Sequence, residues 1–164
     1  VVDPAGPLCL CGKRGCVEIM AAGPGIAGRA ARWLAERPGE GAILRTLATG
    51  RPTLDAELVA RAATQGDDLA WQVLEVSARA LGKGIGCAAN LVNPQLFVLG
   101  GGVTKAGERW WQTVRQAARE TALPEVRTQI EPAALGDDAP LWGAIALAQD
   151  GMLAHHPARA GGAS

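Results

Sequence analysis

At Asn93-Pro94 the hydrophobic period of the chain changes, and that change limits what the chain can fold into. Upstream, "DDLAWQVLEVSARALGKGIGCAANLVN" sets Leu69, Val73, Val76, Ala80 and Ile85 at helical spacing, with Asp67 or Asp68 as N-cap. Pro94 ends that helix, because the residue before a proline is driven out of the α region. Downstream, "QLFVLGGGV" holds a continuous apolar run, Leu96 to Leu99, bounded by Pro94 and three glycines. Such a run reads as a buried parallel strand. "KAGERWWQTVRQAARETAL" then reads as a helix closed by Pro124, and "VRTQIEPAAL" as a second strand. "DDAPLWGAIALAQDGML" reads as a final helix from about Pro140, with Asp137 and Asp138 at its positive end. A helix-rich first half followed by strand, glycine turn, helix, strand and helix is an α/β pattern.

The first half supplies two more helices. "AAGPGIAGRAARWLAERPG" predicts one from about Gly25 to Arg37, with Ile26, Ala30, Trp33 and Leu34 on one face. "TLDAELVARAATQGD" predicts another, opened by Asp55 and striped by Leu58, Val59 and Ala62. At 164 residues the chain is one domain by length and can bury a core. Sixteen basic residues against sixteen acidic ones remove the simplest electrostatic argument for nucleic acid or an anionic membrane as main partner. No apolar run reaches a membrane span and no signal-peptide pattern opens the chain, so the expected compartment is the cytoplasm. The opening "VVDPAGP" reads as a strand end falling into a turn, which fits a fragment of a longer polypeptide. "HHPARAGGAS", after Ala154, reads as a disordered tail, with residues 1–153 forming the folded unit.

Three cysteines, Cys9, Cys11 and Cys16, fall in the loop "GPLCLCGKRGCVE" as C-x-C-x4-C. Thiolates held this close repel one another unless a cation neutralises them, and Zn²⁺ does so at pH 7. In a reducing compartment clustered thiols are better ligands than disulfides. A structural zinc wants four ligands, and the sequence offers three here. His155 and His156 sit in the tail and are not favoured as the fourth; Cys87, mid-helix among small residues, reads as core. Gly100, Gly101 and Gly102 lie between a predicted strand and a predicted helix, where backbone N–H groups can approach a phosphate. A tight turn packing helix on sheet explains them equally well, since neither a P-loop Lys-Ser/Thr nor G-x-G-x-x-G spacing is present. Glu18, by spacing alone, reads as a solvated carboxylate opening a helix. Trp33, Trp71, Trp110, Trp111 and Trp142 read mostly as core, and Arg115, Arg119 and Arg127 as solvated charges.

Together, "GPLCLCGKRGCVE" followed by "AAGPGI", then "NLVNPQLFVLGGGV", then "DDAPLWGAIALA" resemble, in order, the signatures of the ROK family of bacterial sugar kinases and sugar-responsive repressors. The resemblance spans the chain to about Gln149. It implies an actin-like, ribonuclease-H-like two-lobed fold, of which this is most of the C-terminal lobe. It implies that Cys9, Cys11 and Cys16 are zinc ligands, the fourth being a histidine in an E-x-x-G-H motif about ten residues before Cys9. It assigns Glu18 to sugar hydroxyls, overturning the reading from spacing, and Gly100, Gly101 and Gly102 to the nucleotide pocket. Ala22 departs from the serine that many members carry.

What the resemblance implies for activity is ATP-dependent phosphorylation of the 6-hydroxyl of a hexose, glucose above all, with Mg²⁺ accompanying ATP. The catalytic aspartate and the first phosphate-binding motif belong to the N-terminal lobe, so no catalytic residue is expected in this chain and the chain alone is expected to be inactive. The alternative is the sugar-sensing half of a ROK repressor, which would carry an upstream helix-turn-helix. The family also implies a homodimer or homotetramer, with which an exposed apolar face on the helix from about Asp67 to Leu91 would agree.

Overall fold

The structure, a computed structural model, describes residues 1–155. Seven helices and two strands follow one another: α1 (Val17–Ala21), α2 (Gly23–Glu36), α3 (Ala42–Ala48), α4 (Ala56–Thr64), α5 (Asp68–Val92), β1 (Leu96–Leu99), α6 (Glu108–Thr121), β2 (Gln129–Pro132) and α7 (Ala139–His155). Of the expected tail, residues 154 and 155 close α7 and the remainder lies outside the described residues. The period change at Pro94 does divide helix from strand, and Asn93, in the left-handed region at φ 45°, turns the chain off α5. Helix α3 has no counterpart in the sequence reading: at seven residues it is too short to display a period.

Helix α5 is the axis of the lobe. It buries Leu69, Val73, Leu74, Ala78 and Ile85 against α4, α2 and α6. Gly82 and Gly86, four residues apart, let α6 approach so closely that a Cβ on Gly82 would lie 2.5 Å from the Val114 carbonyl oxygen. Trp110 of α6 is fully buried at this seam and donates from its indole N–H to Ser77 Oγ, at 3.1 Å; the serine in turn donates to the Leu74 carbonyl. Those bonds satisfy the polar groups that burial would otherwise leave costly.

Asp67 joins two elements. Its Oδ1 accepts from Ala70 N–H and caps α5, while Oδ2 accepts from Leu44 N–H in the first turn of α3, both at 2.9 Å. Asp55 caps α4 in the ordinary way, accepting from Leu58 N–H at 2.7 Å.

The strands pair in parallel, Leu96 opposite Gln129 through Leu99 opposite Pro132. The strand and its parallel pairing are as expected, but its burial is not. Phe97 and Leu99 pack on the core, but Leu96 and Val98 are exposed, because among the described residues the sheet has two strands and one covered face. The outer edge of β2 is blocked: Arg115 Nε donates to the Ile130 carbonyl at 3.2 Å, and Pro132 has no N–H to offer. The tryptophans lie mostly in or against the core as expected, Trp142 excepted, and two further expectations, for Cys87 and Arg115, are corrected. Cys87 is exposed, since α5 turns Gly86 and Ala89 inward and Cys87 away. Trp142 stands in solvent on α7, whereas Trp33 and Trp71 lie against the core with Arg37 and Arg109 stacked over their rings. Arg115 is no solvated charge, for it rests on Trp111 and reaches Glu108 and Glu131. The apolar exposure expected along α5 is marked at its end, at Leu91 and Val92.

Candidate functional site

The cysteine loop is a tight knuckle. Leu8 and Arg14 form an antiparallel bridge; Cys9 N–H donates to the Lys13 carbonyl at 2.8 Å, and Gly12 N–H to the Cys9 carbonyl at 2.9 Å. Gly15 locks its base. It sits at φ +57°, and a Cβ there would fall 1.6 Å from the Asp3 carbonyl oxygen, so no other residue fits. Its own carbonyl accepts from Val2 N–H and its N–H donates to the Pro7 carbonyl, tying the chain start to the knuckle.

This frame brings Cys9, Cys11 and Cys16 together, all three Sγ atoms within 4.8 Å of one another and Cys11 and Cys16 at 3.4 Å. Tetrahedral zinc with sulfur ligands at about 2.3 Å sets sulfurs about 3.8 Å apart, so the spacing and the soft donor set both suit such an ion. Among the described residues no fourth histidine, cysteine or carboxylate joins the group. The thiols disturb one another. Lys13 N–H and the two other thiols hold Cys11 below its ordinary value, while Cys11 and desolvation push Cys16 up to about 11. Successive protons leave such a set with growing reluctance, and a bound cation relieves that repulsion.

Cys16 is the residue before α1, and Glu18 lies exposed in the first turn of that helix. Behind it, buried Arg29 of α2 donates to the Met20 carbonyl at 3.2 Å and fixes the end of α1 on α2. Burial lowers the pKa of this guanidinium. Gly25 adds to the fit, because a Cβ there would lie 2.0 Å from the Ile19 carbonyl oxygen.

The glycine triplet stands at the carboxyl end of β1. Gly101 adopts φ 98°, and Gly102 begins a 3-10 turn ending at Lys105. Gly102, Val103, Lys105 and Ala106 form one wall of a cavity of about 650 Å³. The other walls come from α2 at Gly23 and Ile26 and from α4, from Ala56 to Thr64. The α2 N-terminus thus meets a glycine turn at one opening, an arrangement that favours an anion, while the α4 N-terminus beside it is already capped by Asp55 and carries Glu57. That of α2 has no side-chain cap, and since Pro24 has no N–H, its first-turn amides are those of Gly23 and Gly25. Gly100 and Gly101 flank the cavity in sequence without lining it. Sequence reasoning missed the contribution of α4, whose Glu57 and Arg61 line the opening: nothing in their spacing separates them from ordinary surface charges.

A thiol knuckle leading into a helix, and a glycine turn beside a cavity at a strand end, together make an α/β lobe with a candidate ligand cavity. The chain belongs to the ROK family, whose profile matches residues 1–151. Its fold is the actin-like one of ROK sugar kinases, of which it forms part of a lobe. It is 34% identical to a Streptomyces griseus ROK glucokinase solved with glucose and AMPPNP, with a TM-score of 0.79 over 91% of this chain and 49% of that one. It is 30% identical to Thermotoga maritima glucokinase, covering 92% of this chain and 47% of the relative. It is 34% identical to the Escherichia coli DNA-binding transcriptional dual regulator NagC, over 93% of this chain and 36% of the regulator. The chain therefore spans half or less of the length of these relatives, which are two glucokinases and a DNA-binding transcriptional regulator.

Proposed function

We propose that the chain is the zinc-bearing C-terminal lobe of an ATP-dependent hexose kinase of glucokinase type. The observation that carries this reading is the cavity at the end of β1, with Gly102 and the α2 and α4 N-termini around it. In this reading MgATP enters that cavity, the Gly102 backbone approaches its phosphates, and Gly100 and Gly101 form the turn that presents it. Glu18 accepts hydrogen bonds from hexose hydroxyls, glucose foremost, and so orients the 6-hydroxyl towards the nucleotide. Cys9, Cys11 and Cys16 hold a structural Zn²⁺ whose fourth ligand is an upstream histidine; when bound, the ion fixes the knuckle and with it the start of α1. The aspartate that takes the hydroxyl proton belongs to an N-terminal lobe, and the whole protein assembles as a homodimer or homotetramer.

The isolated chain is expected to give no ATP- and glucose-dependent turnover in a coupled assay, yet to bind Mg·AMPPNP in a calorimetric titration. Gly102→Val should weaken that binding at least about tenfold by filling the approach to the phosphates. Turnover by the wild-type chain would refute the division of labour between lobes. Glucose binding with no nucleotide binding would favour the sensing half of a repressor, the reading supported by the identity to NagC.

A further inference from the structure

Cys11 and Cys16 are in sulfur–sulfur contact at 3.4 Å, and Cys11 is exposed at the tip of the knuckle beside the fully exposed Leu10. Cys9 belongs to the same cluster but is buried, and the bonds to Lys13 and from Gly12 hold it at the knuckle's base. Cys87, on α5, is exposed and outside the cluster. The loop therefore contains an accessible thiol, a second thiol already touching it, and a lone thiol elsewhere for comparison.

We infer that the knuckle is a peroxide-sensitive modification site at which Cys11 and Cys16 close a reversible disulfide. The Cys11 thiolate attacks hydrogen peroxide; the O–O bond breaks, sulfur loses two electrons, and Cys11 becomes a sulfenic acid as hydroxide leaves. Cys16 sulfur then attacks the Cys11 sulfur, the S–O bond breaks, and the oxygen departs as water with the Cys16 proton. Two thiols and one peroxide give one disulfide and two waters. The bridge removes two of the three sulfur donors, so it excludes the metal and changes what anchors Cys16 just ahead of α1 and Glu18. A cellular dithiol reverses it by exchange. The competition with zinc rests on the metal reading above; the thiol chemistry does not.

The test has two arms. In the first, the reduced, metal-free chain is treated with a small excess of hydrogen peroxide, alkylated, and mapped by mass spectrometry. The expected product is bridged between Cys11 and Cys16, lacking two alkyl groups and about 2 Da of hydrogen, with Cys9 and Cys87 still alkylated. Cys87, which lies outside the thiol cluster, should form no bridge within the chain. Cys16→Ser should stop at a Cys11 sulfenic acid trapped by dimedone, and Cys87→Ser should change nothing. A bridge involving Cys87 or Cys9, or sulfinic acid with no bridge, would each overturn the inference. In the second arm Zn²⁺ is added first, and bridging should slow several-fold, with metal released to a chromogenic chelator as the disulfide forms. If zinc fails to bind while the first arm succeeds, the metal reading falls and the modification site stands.

Discussion

At the scale of single residues, Asp67 does the most for the least surface. One carboxylate accepts from Ala70 N–H at the head of α5 and from Leu44 N–H at the head of α3, and it is buried. Asp67→Ala removes two caps and leaves two donors with no partner away from water. One lost cap costs about 1 kcal/mol and an unsatisfied buried donor costs about as much again, so about 2–4 kcal/mol should be lost. Asp67→Asn retains one acceptor oxygen and should lose roughly half of that. Urea unfolding of the two variants checks both numbers, and equal losses would mean that the second bond contributes nothing. The sequence made the first role legible, because an aspartate before a helical stripe is a cap signal. The second role was hidden, because Leu44 lies 23 residues away and only the fold brings it near. The cysteine knuckle was legible for the opposite reason: its three thiols are local in the chain, and the turn that gathers them is encoded within the same dozen residues.

Among the elements, the α5–α6 seam depends on residues that carry no side chain. Gly82 and Gly86 are poor helix formers, and replacing a helical glycine by alanine ordinarily gains about 1 kcal/mol. Here the new methyl would meet backbone: 2.5 Å to Val114 O from position 82, and 2.7 Å to Ala118 O from position 86. Relieving that overlap means moving α6, and overpacking of this kind costs about 1–3 kcal/mol. Gly82→Ala and Gly86→Ala should therefore destabilise by a net of up to about 2 kcal/mol each. Gly28→Ala on the exposed side of α2, where a Cβ meets nothing within 4 Å, should stabilise by up to about 1 kcal/mol. Thermal unfolding of the three variants separates close packing from propensity by sign alone. The sequence shows the paired glycines but not their purpose, since a period of four in small residues fits a flexible helix as well as a tight crossing. β1 shows the same limit: its apolar run identified a strand, while the exposure of Leu96 and Val98 depends on how many strands flank it.

Across the whole molecule, apolar surface is distributed unevenly. Leu141, Trp142, Ile145 and Leu147 point to several sides of α7, and all are exposed. A helix that is apolar all round belongs inside a protein, and a surface of this kind marks a place where more protein packs. Alongside it, β1 has β2 as its only neighbour among the described residues. In the S. griseus glucokinase about half of the chain lies outside the region matched here, which is ample to cover both surfaces. Helix α7 touches chiefly the short turn before it, Gly136–Asp138, so it should add little to the stability of the lobe. A chain ending at Asp138 should melt within about 2 °C of the present one, since a loss of 1 kcal/mol would already shift a domain of this size by more. It should also bind several-fold less of an apolar dye such as anilinonaphthalene sulfonate, because the four exposed side chains leave with the helix. If the melting temperature fell by ten degrees, α7 would be part of this lobe's own core. If it held while dye binding dropped, α7 would be a surface built for another body of protein.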